Sequence, residues 1–127
     1  MPGWHCRPGR LFLESQVIPV EEKVDINAVA MEVILNAGDG RLLVDQALES
    51  LAAFDFDAAE QHLKDADEKI LAAHKAQTET IQRQAAGEEV EYSLLFTHAQ
   101  DTLMTISTEL RLTQRLLPII RALKERA

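Results

Sequence analysis

Aromatic side chains are scarce in this sequence, at 5% of 127 residues. A core must therefore be filled by Leu, Ile, Val and Ala, and the apolar types together reach 46%, enough for one core. Glycine and proline are also few, five and four, and most lie outside the periodic stretches. A strand-and-turn protein needs turn residues at short intervals, so this shortage favours an all-α protein. The single cysteine, Cys6, excludes an intrachain disulfide and fits a reducing, cytoplasmic setting. No apolar run approaches the roughly 20 residues that span a bilayer, so direct membrane insertion is not expected. Positive charge is the minority sign. Thirteen Lys and Arg against 21 Asp and Glu leave a net charge of −8 and no basic stripe. Such a surface repels nucleic-acid phosphates and anionic lipid, which excludes a nucleic-acid role.

The length bounds the chain to one domain. Residues 1–22 show no sustained period and are punctuated by Pro2, Pro8 and Pro19. They read as a flexible N-terminal extension, with residues 23–127 as the helical domain. The extension lacks the apolar centre of a secretory signal. Trp4, His5 and Cys6 stand together in it, but no second ligand pair at zinc spacing supports a metal role.

Three helical periods follow. From 25 to 53, apolar residues recur at 26, 30, 33, 37, 44, 47, 48 and 51. "AGDG" at 37–40 interrupts them, and its glycines are expected either to bend the helix or to let a neighbour approach closely. "FDFDAAE" at 54–60 reads as a turn and a new start, capped by Asp55 or Asp57, with Asp57 and Glu60 at capping-box spacing. The second helix points Ala59, Leu63, Ala66, Ile70, Ala73, Gln77 and Ile81 inward and stops at Gly87. The third runs from near Val90 towards Arg126, bent rather than ended by Pro118. Short connections make neighbours antiparallel, giving an up-down-up three-helix bundle with long helices.

The third helix carries two apolar stripes. Leu95, Ala99, Leu103, Ile106, Leu110 and Leu117 form the side that packs on the other helices. More than a quarter-turn away lies a second line: Leu94, His98, Asp101, Thr105, Thr108, Leu112, Leu116, Ile119 and Leu123. Its steps alternate four and three until one four-four step after Leu112, a heptad-like seam with a stutter. One bundle needs only the first stripe, and the second, left exposed, is an aggregation liability. Self-association along this helix covers it, and cyclic symmetry then gathers copies of Asp101 near an axis. Crowded carboxylates repel one another, and a divalent cation with oxygen ligands offsets that; the other reading of the pattern is an Asp101 that sits at the edge of the seam in water. His98 breaks the seam one turn before Asp101. A neutral imidazole is a nucleophile. No serine or cysteine stands near it at helical spacing, so a hydrolase triad has no support. His62 lies in the acidic stretch "AEQHLKDADEK" and receives no role.

The segment "EVEYSLLFTHAQDTLMT", with its H-A-Q-D core, resembles the active-site helix of the lactose/cellobiose-type enzyme IIA family of the phosphoenolpyruvate-dependent sugar phosphotransferase system. "VILNAGDGR", "FDFDAAE" and "AHKAQTE" match in the same order, so the resemblance runs from about Val24 to Leu123. It implies a homotrimer of three-helix subunits, in agreement with the two stripes. It also implies that His98 is the phosphorylated, catalytic residue. Asp101 would be the metal-binding acid, one copy from each subunit around one central divalent ion, usually taken as Mg2+. HPr would be the phosphoryl donor and a cysteine of enzyme IIB the acceptor, for uptake of a disaccharide such as lactose, cellobiose or chitobiose. The helical neighbours of His98 include no Arg or Lys. Thr102, Gln100, an adjacent subunit, or His74 and Gln77 from the second helix are the candidates for meeting the phosphate.

Two other readings compete. A histidine phosphotransfer domain of a two-component relay is also a helical bundle, but such domains typically place a lysine and small residues after the histidine, where "HAQD" has an acid. A non-catalytic helical oligomerisation module explains both stripes and gives no reason for His98.

Overall fold

The structure, a computed structural model, describes residues 23–127, so the expected extension over 1–22, with Trp4, His5 and Cys6, lies outside the described residues. It contains helices α1 (Ile26–Ala52), α2 (Phe56–Ala85) and α3 (Leu94–Arg126), and no strand among the described residues. At 1.5 Å per residue these are about 40, 45 and 50 Å long.

Each helix starts where a side-chain oxygen meets a free backbone N–H. Asp25 accepts from Ala28 N at 3.1 Å, Asp55 from Ala58 N at 3.2 Å, and Ser93 Oγ from Phe96 N at 3.1 Å. Asp55 is therefore the cap of α2. Asp57 sits inside the first turn, where its charge complements the helix dipole instead of closing a capping box. α3 begins at Leu94 and not near Val90, because Ser93 supplies the cap. Gly87, at φ +100°, ends α2 as expected. Phe54 takes the equivalent left-handed position after α1, at φ 57°, while Asp55 N–H reaches back to the Ser50 carbonyl at 2.9 Å. Pro118 lies within α3, which continues to Arg126.

Cross-helix pairs fix the topology. Asn27–Ser93 and Arg41–Glu109 join α1 to α3 across 66 and 68 residues, a nearly constant offset, so these helices run parallel. Glu60–Arg121 and His74–Ser107 join α2 to α3 across 61 and then 33 residues, so these run antiparallel. This is the up-down-up bundle expected from the sequence. α1 packs most extensively on α2, and α3 leans more on α1 than on α2.

The core is aliphatic and rich in alanine. Val33, Val44, Leu51, Leu103 and Ile106 are its largest fully buried members, with Ala30, Ala37, Ala47, Ala66, Ala73 and Ala99 between them. Two expected inward residues face out: Leu48 and Ile81 are exposed, and Leu95 is only half-buried. Thr80 takes the place next to Ile81, and Thr113 joins the α3 stripe. Each donates its hydroxyl to the carbonyl four residues back, so burial leaves no orphan donor. Gln77 is buried as expected, with its Oε1 unpartnered.

"AGDG" does not interrupt α1, which is continuous through it. Gly40 allows a close approach: a Cβ there would stand 2.7 Å from Ile70 Cδ1, whereas one at Gly38 would meet nothing within 4 Å. The two positions should therefore respond differently to alanine. Gly38→Ala gains up to about 1 kcal/mol of helix propensity. Gly40→Ala sets the same gain against about 1–3 kcal/mol of overpacking. Urea unfolding should show the first variant more stable than the second; equal midpoints would mean Ile70 yields freely.

Candidate functional site

His98 lies in the second turn of α3, placed there by the Ser93 cap. Its side chain is exposed and makes no hydrogen bond or ion pair among the described residues. Its carbonyl accepts the Thr102 hydroxyl at 2.8 Å. Asp101, one turn on, has a free, exposed carboxylate, and its carbonyl accepts the Thr105 hydroxyl at 2.8 Å. The seam is open in the single chain except at the half-buried Leu116. Leu94 is 72% exposed, Leu112 58%, Ile119 53% and Leu123 61%. The two-stripe reading of this helix therefore holds.

The candidates for meeting a phosphate on His98 are not equal. The Thr102 hydroxyl spends its proton on the His98 carbonyl, so it is not free to donate. Gln100 lies about 200° round the helix from His98, on the opposite side. His74 is tied elsewhere. Its Nε2 stands 3.1 Å from Ser107 Oγ, whose own proton goes to the Leu103 carbonyl at 2.8 Å, so Nε2 must be the donor. Ser107 is nine residues, or about 13 Å of helix, beyond His98. Gln77 is buried in the core. Neither His74 nor Gln77 joins the site within one chain. A cavity of about 490 Å³ between the start of α1 and the end of α2, lined in part by Lys75, Glu79 and Arg83, does not include His98.

Asp101 is likewise alone. Among the described residues no group of three His, Cys, Asp or Glu side chains is placed to hold a metal ion. One chain contributes a single hard oxygen ligand from this position.

One feature beside the site went unread in the sequence. The α1–α3 offset puts His98 level with Ala30, Met31 and Glu32. Met31, Leu35 and Leu42 form an exposed apolar line on the outer side of α1. Its four-and-seven spacing is visible in the sequence but is overshadowed by the stronger core stripe of the same helix.

Comparison with known proteins decides the family. The family described as "PTS system, Lactose/Cellobiose specific IIA subunit" matches residues 28–121, which span both α1 and the His98 face of α3. The chain belongs to the lactose/cellobiose-specific IIA family of the phosphotransferase system. It is thus a phosphotransferase component of sugar uptake. The lactose-specific EIIA component of Staphylococcus epidermidis is 40% identical over 81 residues, covering 64% of this chain and 78% of that protein. The cellobiose-specific enzyme IIA of Bacillus anthracis superposes with a TM-score of 0.76 at 30% identity, over 86% of this chain and 100% of that one. The chitobiose IIA of Escherichia coli, solved in complex with HPr, superposes with a TM-score of 0.65 at 28% identity, over 80% and 98%. Membership in this IIA family removes the two-component relay and the purely structural module as readings. No helix among the described residues is long and apolar enough to cross a membrane.

Proposed function

We propose that His98 is the phosphoryl-carrying residue of this IIA component. A neutral ring nitrogen of His98 attacks the phosphorus of phosphorylated HPr. The new N–P bond forms as the donor's N–P bond breaks, and the donor imidazole leaves. A cysteine thiolate of enzyme IIB then takes the phosphoryl group by the same exchange, and the His98 nitrogen is the leaving group. The E. coli relative was solved with HPr, which supports that donor. The observation that carries the reading is the exposure of His98, unpaired, on an unpartnered helix face inside the matched family region. Phosphoryl transfer depends on in-line positioning and charge stabilisation, and a rigid helix face held open to a docking protein supplies the positioning. The setting is cytoplasmic, in keeping with a thiolate acceptor and a single cysteine in the chain.

His98 lies near the N-terminal end of the seam and stays open to the docking protein, while the seam from Asp101 to Leu123 is the contact between copies in a homotrimer. Threefold closure along the seam removes the exposed leucines from water and brings three Asp101 carboxylates together. The described residues of a single chain make no metal site, but three converging carboxylates suit one hard divalent cation, Mg2+, which would offset their mutual repulsion. The substrate of the pathway is a disaccharide of the lactose, cellobiose or chitobiose type, which the IIA component itself does not touch.

The test is incubation with phosphoenolpyruvate, enzyme I and HPr. One acid-labile phosphate per chain is expected, and transfer to a IIB cysteine should discharge it. Folded protein that takes no label would overturn the proposal. Sedimentation in Mg2+ should give three copies per particle, with weaker association after chelation.

A further inference from the structure

The groove between α1 and α3 has a volume of about 410 Å³. Val44, Leu48, Leu112 and Leu116 give it an apolar lining, and Arg41, Asp45 and Glu109 form its rim. Glu109 is already neutralised: Arg41 Nε and Nη2 donate to its two carboxylate oxygens at 3.1 and 3.0 Å. Asp45 is exposed and makes no hydrogen bond or ion pair among the described residues. The groove therefore offers apolar surface beside one unbalanced negative charge.

The matching charge lies on the other flank of the same helix. At about 100° per residue, the core and the groove lie to one side of the α3 seam. Arg115 lies to the other side, about 70° from the seam's mid-line, and Arg111 about 110° from it. Both are exposed and unpaired among the described residues. A ring of three copies is closed head to tail, so one flank of each α3 faces the opposite flank of the next at the same height. The groove and Arg115 are on opposite flanks, so closure presents each Arg115 to the next copy's groove. The heights agree. The α1–α3 offset sets Asp45 level with Arg111, Leu112 and Thr113. Arg115 is a turn further on, but helical side chains lean towards the helix N-terminus, which returns its guanidinium to that level. Its aliphatic stem would then lie along Leu48 and Leu112.

We infer that the α1–α3 groove is a docking site for a second copy of this chain, with Arg115 of each copy paired to Asp45 of the next. The inference rests on the trimeric reading and adds the contact that sets the rotational fit of the copies. Opposed charges flanking an apolar seam commonly fix partner choice and register in this way.

Sedimentation of the full chain tests it. Arg115→Glu and Asp45→Arg should each raise the concentration of half-dissociation about tenfold or more, because each sets like charges face to face. The double variant D45R/R115E should recover most of that loss. R111E makes the same change in net charge outside the contact and should behave as the unaltered protein. All these positions are exposed in the single chain, so helical content should be unchanged. If R115E matches R111E, or the double variant associates no better than the poorer single one, the pairing is wrong although the trimer stands. If the unaltered chain sediments as a monomer, the trimeric reading itself fails.

Discussion

His98→Gln protein should take up no phosphate from phosphorylated HPr, while folding and associating as the unaltered chain does. The ring is exposed and bonded to nothing among the described residues, so its loss removes no native contact. Glutamine is a good helix former and fills a similar volume. What disappears is the nucleophilic nitrogen. An amide does not replace it, so the expected loss is total, unlike the partial loss that follows removal of a positioning group. Acid-labile label, counted per chain in unaltered and variant protein, decides the point. Label that persists in the variant would move the phosphoryl group to another histidine, His74 being the first to examine because its Nε2 is already held by Ser107.

Leu103→Ala should produce the second large effect, this time on stability. Leu103 is fully buried where α3 packs on the rest of the bundle. Truncation of a buried leucine costs about 3–5 kcal/mol where the cavity cannot collapse, and a core this rich in alanine has few side chains able to move in. For a domain of this size that lowers the melting temperature by roughly 10 °C or more. Leu112→Ala is the instructive partner. The residue is 58% exposed in the single chain, so its truncation should leave the fold of one chain nearly untouched and weaken association. Urea unfolding at low concentration, beside sedimentation at high concentration, separates the two. A Leu112 variant as unstable as the Leu103 variant would mean that the seam is part of the monomer's own core.

Much of this is legible in the sequence. The three periods, the Gly87 stop, the passage through Pro118 and the two faces of α3 all follow from spacing, because a helix repeats its geometry at every residue. The misreadings have local causes. Leu48 and Ile81 fit the apolar helical spacing of inward positions, yet both face out. Thr80 is buried beside Ile81 because a threonine can hand its hydroxyl to its own helix, which makes a polar residue acceptable inside. The apolar pattern puts the start of α3 near Val90, whereas the side chain that meets a free N–H is Ser93, which accepts from Phe96 N. His98 and Asp101 could be singled out because they break a leucine line. The fate of His74 could not, since its partner Ser107 lies across the α2–α3 contact and depends on the register between helices.

No lysine or arginine of its own helical neighbourhood stands beside His98. A single charge-assisted hydrogen bond to a phosphoryl oxygen would stabilise the loaded state by about 1.5–3 kcal/mol. That would slow its departure some ten- to more than a hundredfold if the departing state did not share the bond. An intermediate in a relay gains nothing from such retention. With His98 as the carrier, a setting without a cation from its own helix would keep the cargo's affinity for its perch low, and the direction of traffic would be set by which loaded or empty protein arrives next.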